Sequence, residues 1–229
     1  LSEAGRHAEA LAELTAALSV AIASGHDLAA AAIATRRDFV RAARLQQGHE
    51  VLADAPIVDG LVARALSTRE GREQRGDHLN NLGIAHAVQG ELQPARDYFI
   101  ASIAARRAVL GDEHPQVVYA LGNLGLALLS SDDAAEATRQ LRSAFRGAES
   151  SLGPKHPHVA LLAINLGIGL LSLHRQGEAA GYFDRALALQ TELLGPEAPD
   201  LHYVLTAVGD LALDQRRCVD AEASYRRAL

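Results

Sequence analysis

The chain has 229 residues, 48% of them hydrophobic but only 4% aromatic, with no Met or Trp and a formal charge of −6 at pH 7. That acidity argues against a general nucleic-acid binder, and the lone Cys218 excludes an internal disulfide and a cysteine-based zinc site. No apolar run approaches the ~18 residues of a membrane span and no signal peptide is visible, so a cytoplasmic protein without a membrane partner is expected.

Residues 1–76 are the less regular first third. Asp27 can cap a helix that runs to about Gln47, and Gly48 with Ala53 suggests the passage to a further helix. From Arg36 to Arg75 eight Arg stand against six acids. Arg37, Arg41 and Arg44 lie at i, i+4 and i+7 and would form one stripe. Such a stripe is either a solvated face with ion pairs to neighbours or a site for a small acidic ligand.

Residues 77–229 repeat with a period of 42. Asn81-Leu82-Gly83 returns as Asn123-Leu124-Gly125 and as Asn165-Leu166-Gly167, with a degenerate copy at Ala207-Val208-Gly209. The same offset links Pro115, Pro157 and Pro199, and also Ala95, Ala137, Ala179 and Ala221. In each unit the Gly is followed by a small residue, then a large apolar one, then a small one: Gly83, Ala95, Phe99, Ser102; Gly125, Ala137, Leu141, Ala144; Gly167, Ala179, Phe183, Ala186; Gly209, Ala221, Tyr225, Ala228. Four helical glycines would cost roughly 4 kcal/mol against Ala, so a close contact must offset them. Approach of the first helix to the small Ala of the second is the expected source.

This pattern resembles the tetratricopeptide signature, and the eight residues beyond the usual repeat make it similar to the kinesin-light-chain type. The extra residues read Leu110-Gly-Asp-Glu-His-Pro115, Leu152-Gly-Pro-Lys-His-Pro157 and Leu194-Gly-Pro-Glu-Ala-Pro199. Gly111, Gly153 and Gly195 suit a left-handed helix end, and each Pro suits the first turn of the next helix. The resemblance implies an all-α fold, a right-handed superhelical solenoid of antiparallel helix pairs (helix A, then helix B) with about five hairpins. Carried back into residues 1–76, it makes Gly5, Ala10, Leu14 and Ala17 a helix B, but it sets Arg37, Arg41 and Arg44 at positions buried in the later repeats. The chain opens in mid-repeat and ends inside a helix B. A piece of a longer polypeptide is therefore expected, and 21 Arg against the single Lys155 suggests a bacterial one.

In proteins of this kind the A helices line a groove, which implies as candidate contacts Asn80, Asn81 and Ile84, then Tyr119, Asn123 and Leu126. Asn165 and Ile168, then Tyr203 and Asp210, complete the set. Asp77 and Leu161 occupy the matching places in two of the units. No Lys or Arg stands there, so a cationic clamp on a terminal carboxylate is not expected. The asparagines would form a ladder, since each side chain offers a donor and an acceptor to an extended peptide. One such bond nets about 1 kcal/mol, so apolar neighbours must help. The alternative is that the asparagines hold neighbouring helices together.

Catalysis is not expected. There is no Gly-rich phosphate loop, no Gly-x-Ser-x-Gly and no His-Glu-x-x-His. The densest histidines, His156, His158 and His174, include a member of the repeated His-Pro loop, so loop geometry explains them better than a metal does. Asp132 and Asp133 stand at a helix start, where acids cap. The expectation is a non-catalytic, signalling-related scaffold that needs no cofactor or metal and binds a protein or peptide. The alternatives are a sensor of a small acidic ligand at the Arg stripe and a unit that self-associates through its terminal helices.

Overall fold

A computed structural model describes residues 3–131 and 133–229, and among them every regular element is a helix. In order these are α1 (Glu3–Ala23), α2 (Asp27–Phe39), α3 (Gly48–Ala65), α4 (Arg69–Val88), α5 (Leu92–Leu110), α6 (Pro115–Ser130), α7 (Ala134–Leu152), α8 (Pro157–Ser172), α9 (Gln176–Leu194), α10 (His202–Asp214) and α11 (Cys218–Ala228). A π-helical turn, Val40–Arg44, extends α2, and a 3-10 turn, Pro199–Leu201, precedes α10. None of these helices is long and apolar enough to cross a membrane. The chain divides into two compact units, Leu1–Ala127 and Leu128–Leu229. This division falls within α6, whereas the repeat becomes regular near residue 77.

The turns carry the punctuation expected of them. Gly111, Gly153 and Gly195 end α5, α7 and α9 with φ of 85°, 89° and 92°. Their ψ values of 168°, 154° and 160° put them outside the left-handed helical well expected for them. They occupy an extended region with positive φ that is essentially reserved for Gly. Pro115 and Pro157 open α6 and α8, where a missing N–H costs nothing. His156 caps α8 by accepting from His158 N at 3.1 Å, and Asp133 Oδ1 accepts from Glu136 N at the start of α7.

In the first unit, α1 packs on α2, and α2 and α3 form the hairpin that precedes the pair α4 and α5. Leu18, Ala30, Ala34, Val58, Leu61 and Val62 make one core layer, and Ala42, Val51, Leu82 and Ala85 make the next. The π turn accounts for the sequence register that breaks here. Counting back 42 from Gly83 reaches Arg41, but the fully buried small residue is its neighbour Ala42. The wide turn, closed by Leu45 N on Val40 O, takes up one extra residue.

In the second unit α8 is the most buried helix, with Leu162, Ile164, Leu166 and Leu170 fully enclosed. It packs between α7 and α9, and α10 packs on α9 and α11. Phe145 of α7 meets Tyr182 of α9 edge to face at 5.3 Å.

The contact nearest to the helical glycines is with a large side chain of the following helix. A Cβ on Gly83 would lie 2.6 Å from the ring of Phe99, one on Gly167 2.3 Å from Phe183, and one on Gly209 2.5 Å from Tyr225. The large residue sixteen positions on lies nearest to the bare glycine backbone. Each ring then covers a helix at van der Waals range, and the dispersion gained offsets the propensity lost.

Gly167→Ala is therefore expected to destabilise the protein by about 1–3 kcal/mol through overpacking. Gly181→Ala in α9, where nothing lies within 4 Å of the added methyl, should stabilise it by up to about 1 kcal/mol. Urea unfolding of both variants checks the pair, and equal shifts in one direction would contradict the contact.

Candidate functional site

Each A helix carries two residues seven apart that share one face: six before and one after the repeat glycine. In the first unit α4 places Asp77 and Ile84 there, and α6 places Tyr119 and Leu126. Asp77 accepts from Arg106 Nη2 at 2.8 Å, and Ile84 is half-buried against the second core layer. Tyr119 and Leu126 are each 38% exposed. In the second unit α8 presents Leu161, also 38% exposed, and the half-buried Ile168. Tyr203 and Asp210 of α10 reach the surface, where Asp210 accepts from the Tyr225 hydroxyl at 2.6 Å.

The asparagines face inward. Asn80, Asn81 and Asn165 are buried and Asn123 is half-buried. Asn81 Nδ2 donates to Thr35 O at 2.7 Å, which ties α4 to α2. Asn123 Nδ2 donates to Asn80 Oδ1 at 3.0 Å, which ties α6 to α4. In the second unit the Tyr203 hydroxyl donates to Asn165 Oδ1 at 3.0 Å, joining α10 to α8. These bonds run between successive A helices and occupy groups that an extended ligand would otherwise use. Burial also raises the Tyr203 phenol above its ordinary value, which keeps it a donor.

The three arginines of the N-terminal stripe do not share one open face. Arg37 is buried and donates to Asp38 and, at 2.8 Å, to Asp54 Oδ2; Arg41 donates to the same oxygen at 2.7 Å. Arg44 lies over the Phe39 ring, 5.7 Å from its centroid. Two of the three charges are thus met inside the unit, because burial of a guanidinium requires a carboxylate beside it. Burial also pushes the Asp38 carboxyl up to about 6, against the opposing pull of Arg37.

The histidines do not gather either, and among the described residues no three metal-ligating side chains cluster. His156 is engaged as a helix cap, and burial, with the neighbouring His156, lowers His158 to about 4. Sequence reading overlooked Arg106, which is buried beneath Asp77 and also donates to Gln116 O at 2.8 Å. Its only signal was the lack of a charged equivalent in the other repeats.

Family models described as tetratricopeptide repeat match residues 74–150 and 159–200, together just over half of the chain. No curated protein sequence matches. Among solved structures, BtubC (BKLC) from P. vanneervenii aligns with 100% of this chain and 90% of its own, at a TM-score of 0.76 and 16% identity. A structure of the nearly identical TPR-like repeats described as kinesin light chain of Podosopora anserina aligns with 84% of this chain and 92% of its own, at 0.66 and 19%. The apo form of RapI aligns with 86% of this chain and 53% of its own, at 0.61 and 13%. At these identities the likeness is one of fold: an all-α repeat solenoid.

Two outcomes test this geometry. Asn81→Ala should cost about 0.5–1.5 kcal/mol, because it removes the buried bond that ties α4 to the Thr35 carbonyl of α2; denaturant midpoints measure it, and a cost near zero would contradict that tie. Because His158 is depressed from 6.5 to about 4, the unfolded chain takes up its proton first as pH falls. Its contribution to stability is present above pH 6.5 and is lost toward pH 4. His158→Gln should flatten the fall in urea midpoint across that window relative to the unsubstituted protein. Asp38 acts with the opposite sign in both proteins, so it drops out of the difference.

Proposed function

The chain belongs to the tetratricopeptide repeat family, and on that premise we propose that it is a non-catalytic scaffold whose A-helix face binds a protein or peptide through apolar and aromatic anchors. Repeats of this family mediate protein–protein interaction. The observation that carries the reading is the exposure of Tyr119 and Leu126 in the first unit, and of Leu161 and Tyr203 in the second. All four stand at the repeat positions that share one face of an A helix.

Aromatic and branched apolar side chains of this kind are what interface hot spots are made of. Ile84 and Ile168 supply half-buried apolar floor beside them, and Asp77 and Asp210 mark where a donor on the ligand would find a carboxylate. Asn80, Asn81, Asn123 and Asn165 act one layer down, where they fix the spacing of the A helices and hence of the anchors. Specificity in this reading comes from side-chain pockets and not from a ladder of main-chain bonds.

The test is selection from a displayed random-peptide library on the unsubstituted chain, on Tyr119→Ser/Leu126→Ser and on Leu161→Ser/Tyr203→Ser, with equal helicity verified first. Peptides with a spaced apolar consensus are expected, and binding should fall at least tenfold in one or both double variants. Peptides that bind all three proteins equally would remove the A-helix face from the function.

A further inference from the structure

The second unit contains an open cleft of about 660 Å³ on the B-helix side, between α7 and the turn from α8 into α9. Arg139, Arg142 and Arg146 reach it from α7, at a spacing that puts all three on one helical face, and Arg175 reaches it from the turn. Ser143 and Leu173 complete the part of the wall that matters here.

The internal partners do not balance these charges. Arg139 pairs with Glu136, and Arg175 holds Glu178 through both Nε and Nη2. Arg142 reaches that same Glu178 only at 3.5 Å, and Arg146 has no hydrogen-bond or ion-pair partner among the described residues. Four guanidinium groups therefore face two carboxylates, a local excess of two positive charges in a chain whose formal charge is −6. Like charges held this close repel, so a group that brings two negative charges is favoured there.

We propose that this cleft binds a phosphomonoester dianion. Such a group carries about −1.5 to −2 near neutral pH, which matches the excess. Its tetrahedral oxygens accept the parallel donors of guanidinium forks, a geometry that Lys does not offer. A single carboxylate would leave one positive charge uncompensated. The volume is that of a small-molecule site, with room for the group that bears the phosphoryl. Arg142 and Arg146, the least engaged of the four, make the principal contacts, and the Ser143 hydroxyl is positioned to add a donor. The cleft stands on helix B and its function is independent of the A-helix face.

A phosphorylated side chain on a partner and a free phosphorylated small molecule present the same dianion, and calorimetric titration of the whole chain separates them. The probes are O-phosphoserine, inorganic phosphate, a phosphoserine peptide flanked by Gly and Ala, and its serine counterpart. One-to-one binding of phosphorylated probes is expected, weakening with added salt, with at least a tenfold loss in Arg142→Ala/Arg146→Ala. Arg146 has no partner among the described residues to lose, and Arg142 loses only its 3.5 Å contact with Glu178, so that variant is expected to keep its fold, and its circular dichroism and urea midpoint check this. A phosphopeptide that binds tenfold tighter than O-phosphoserine identifies a protein-borne group; equal affinities identify a free small molecule. Absence of binding at millimolar probe, equal binding of the serine peptide, or affinity unchanged in the double variant would overturn the proposal.

Discussion

The stacking of a large side chain on a bare glycine backbone is the contact on which three of the hairpins depend. Phe99 on Gly83, Phe183 on Gly167 and Tyr225 on Gly209 are the same event in three repeats. A glycine in the middle of a helix weakens that helix, and only a tertiary neighbour can make the exchange favourable. Because the ring arrives from helix B, the contact ties the hairpin's two halves at one height. The small residues around it, such as Ala95 and Ala179, are fully buried and leave room for the ring. A chain with so few aromatics concentrates several of them at this position.

Once the hairpins are set, the A helices must be aligned with one another, and polar side chains do this. A buried amide that finds its partner is directional in a way that an Ala and Leu interface is not. Asn81 on Thr35 and Asn123 on Asn80 fix successive A helices in the first unit, and Tyr203 on Asn165 does so in the second. The consequence for recognition is a division of labour. Polar groups near the repeat glycine are engaged in the interior, and in the proposed reading the residues six before and one after it form the binding face.

The arginines show how burial sorts one residue type into two roles. Arg37, Arg41 and Arg106 lie where water is scarce, and each has a carboxylate within hydrogen-bond range. Arg142 and Arg146 lie along an open wall, where nothing inside the fold demands a partner. The first group is explained by the cost of an unpaired buried charge. The second is what remains available to a ligand.

The sequence by itself determined the repeat length, the helix boundaries marked by Gly111, Gly153 and Gly195, the starts at Pro115 and Pro157, and the pairing of helices into hairpins. These features depend on local backbone preference and on periodicity, both of which a one-dimensional pattern records. Ile84, Tyr119, Leu126, Leu161, Ile168, Tyr203 and Asp210 were also placed on their helices by that pattern alone. The inward turn of the asparagines was decided only by the tertiary structure, because the partner of Asn81 is 46 residues away in the chain. The fate of Arg37 and Arg41 was likewise decided by Asp54 on the next helix, together with a π turn that shifts the register by one residue. Position along a repeat says which face a residue occupies. Whether its polar atoms are open or engaged depends on what the neighbouring repeat brings against them.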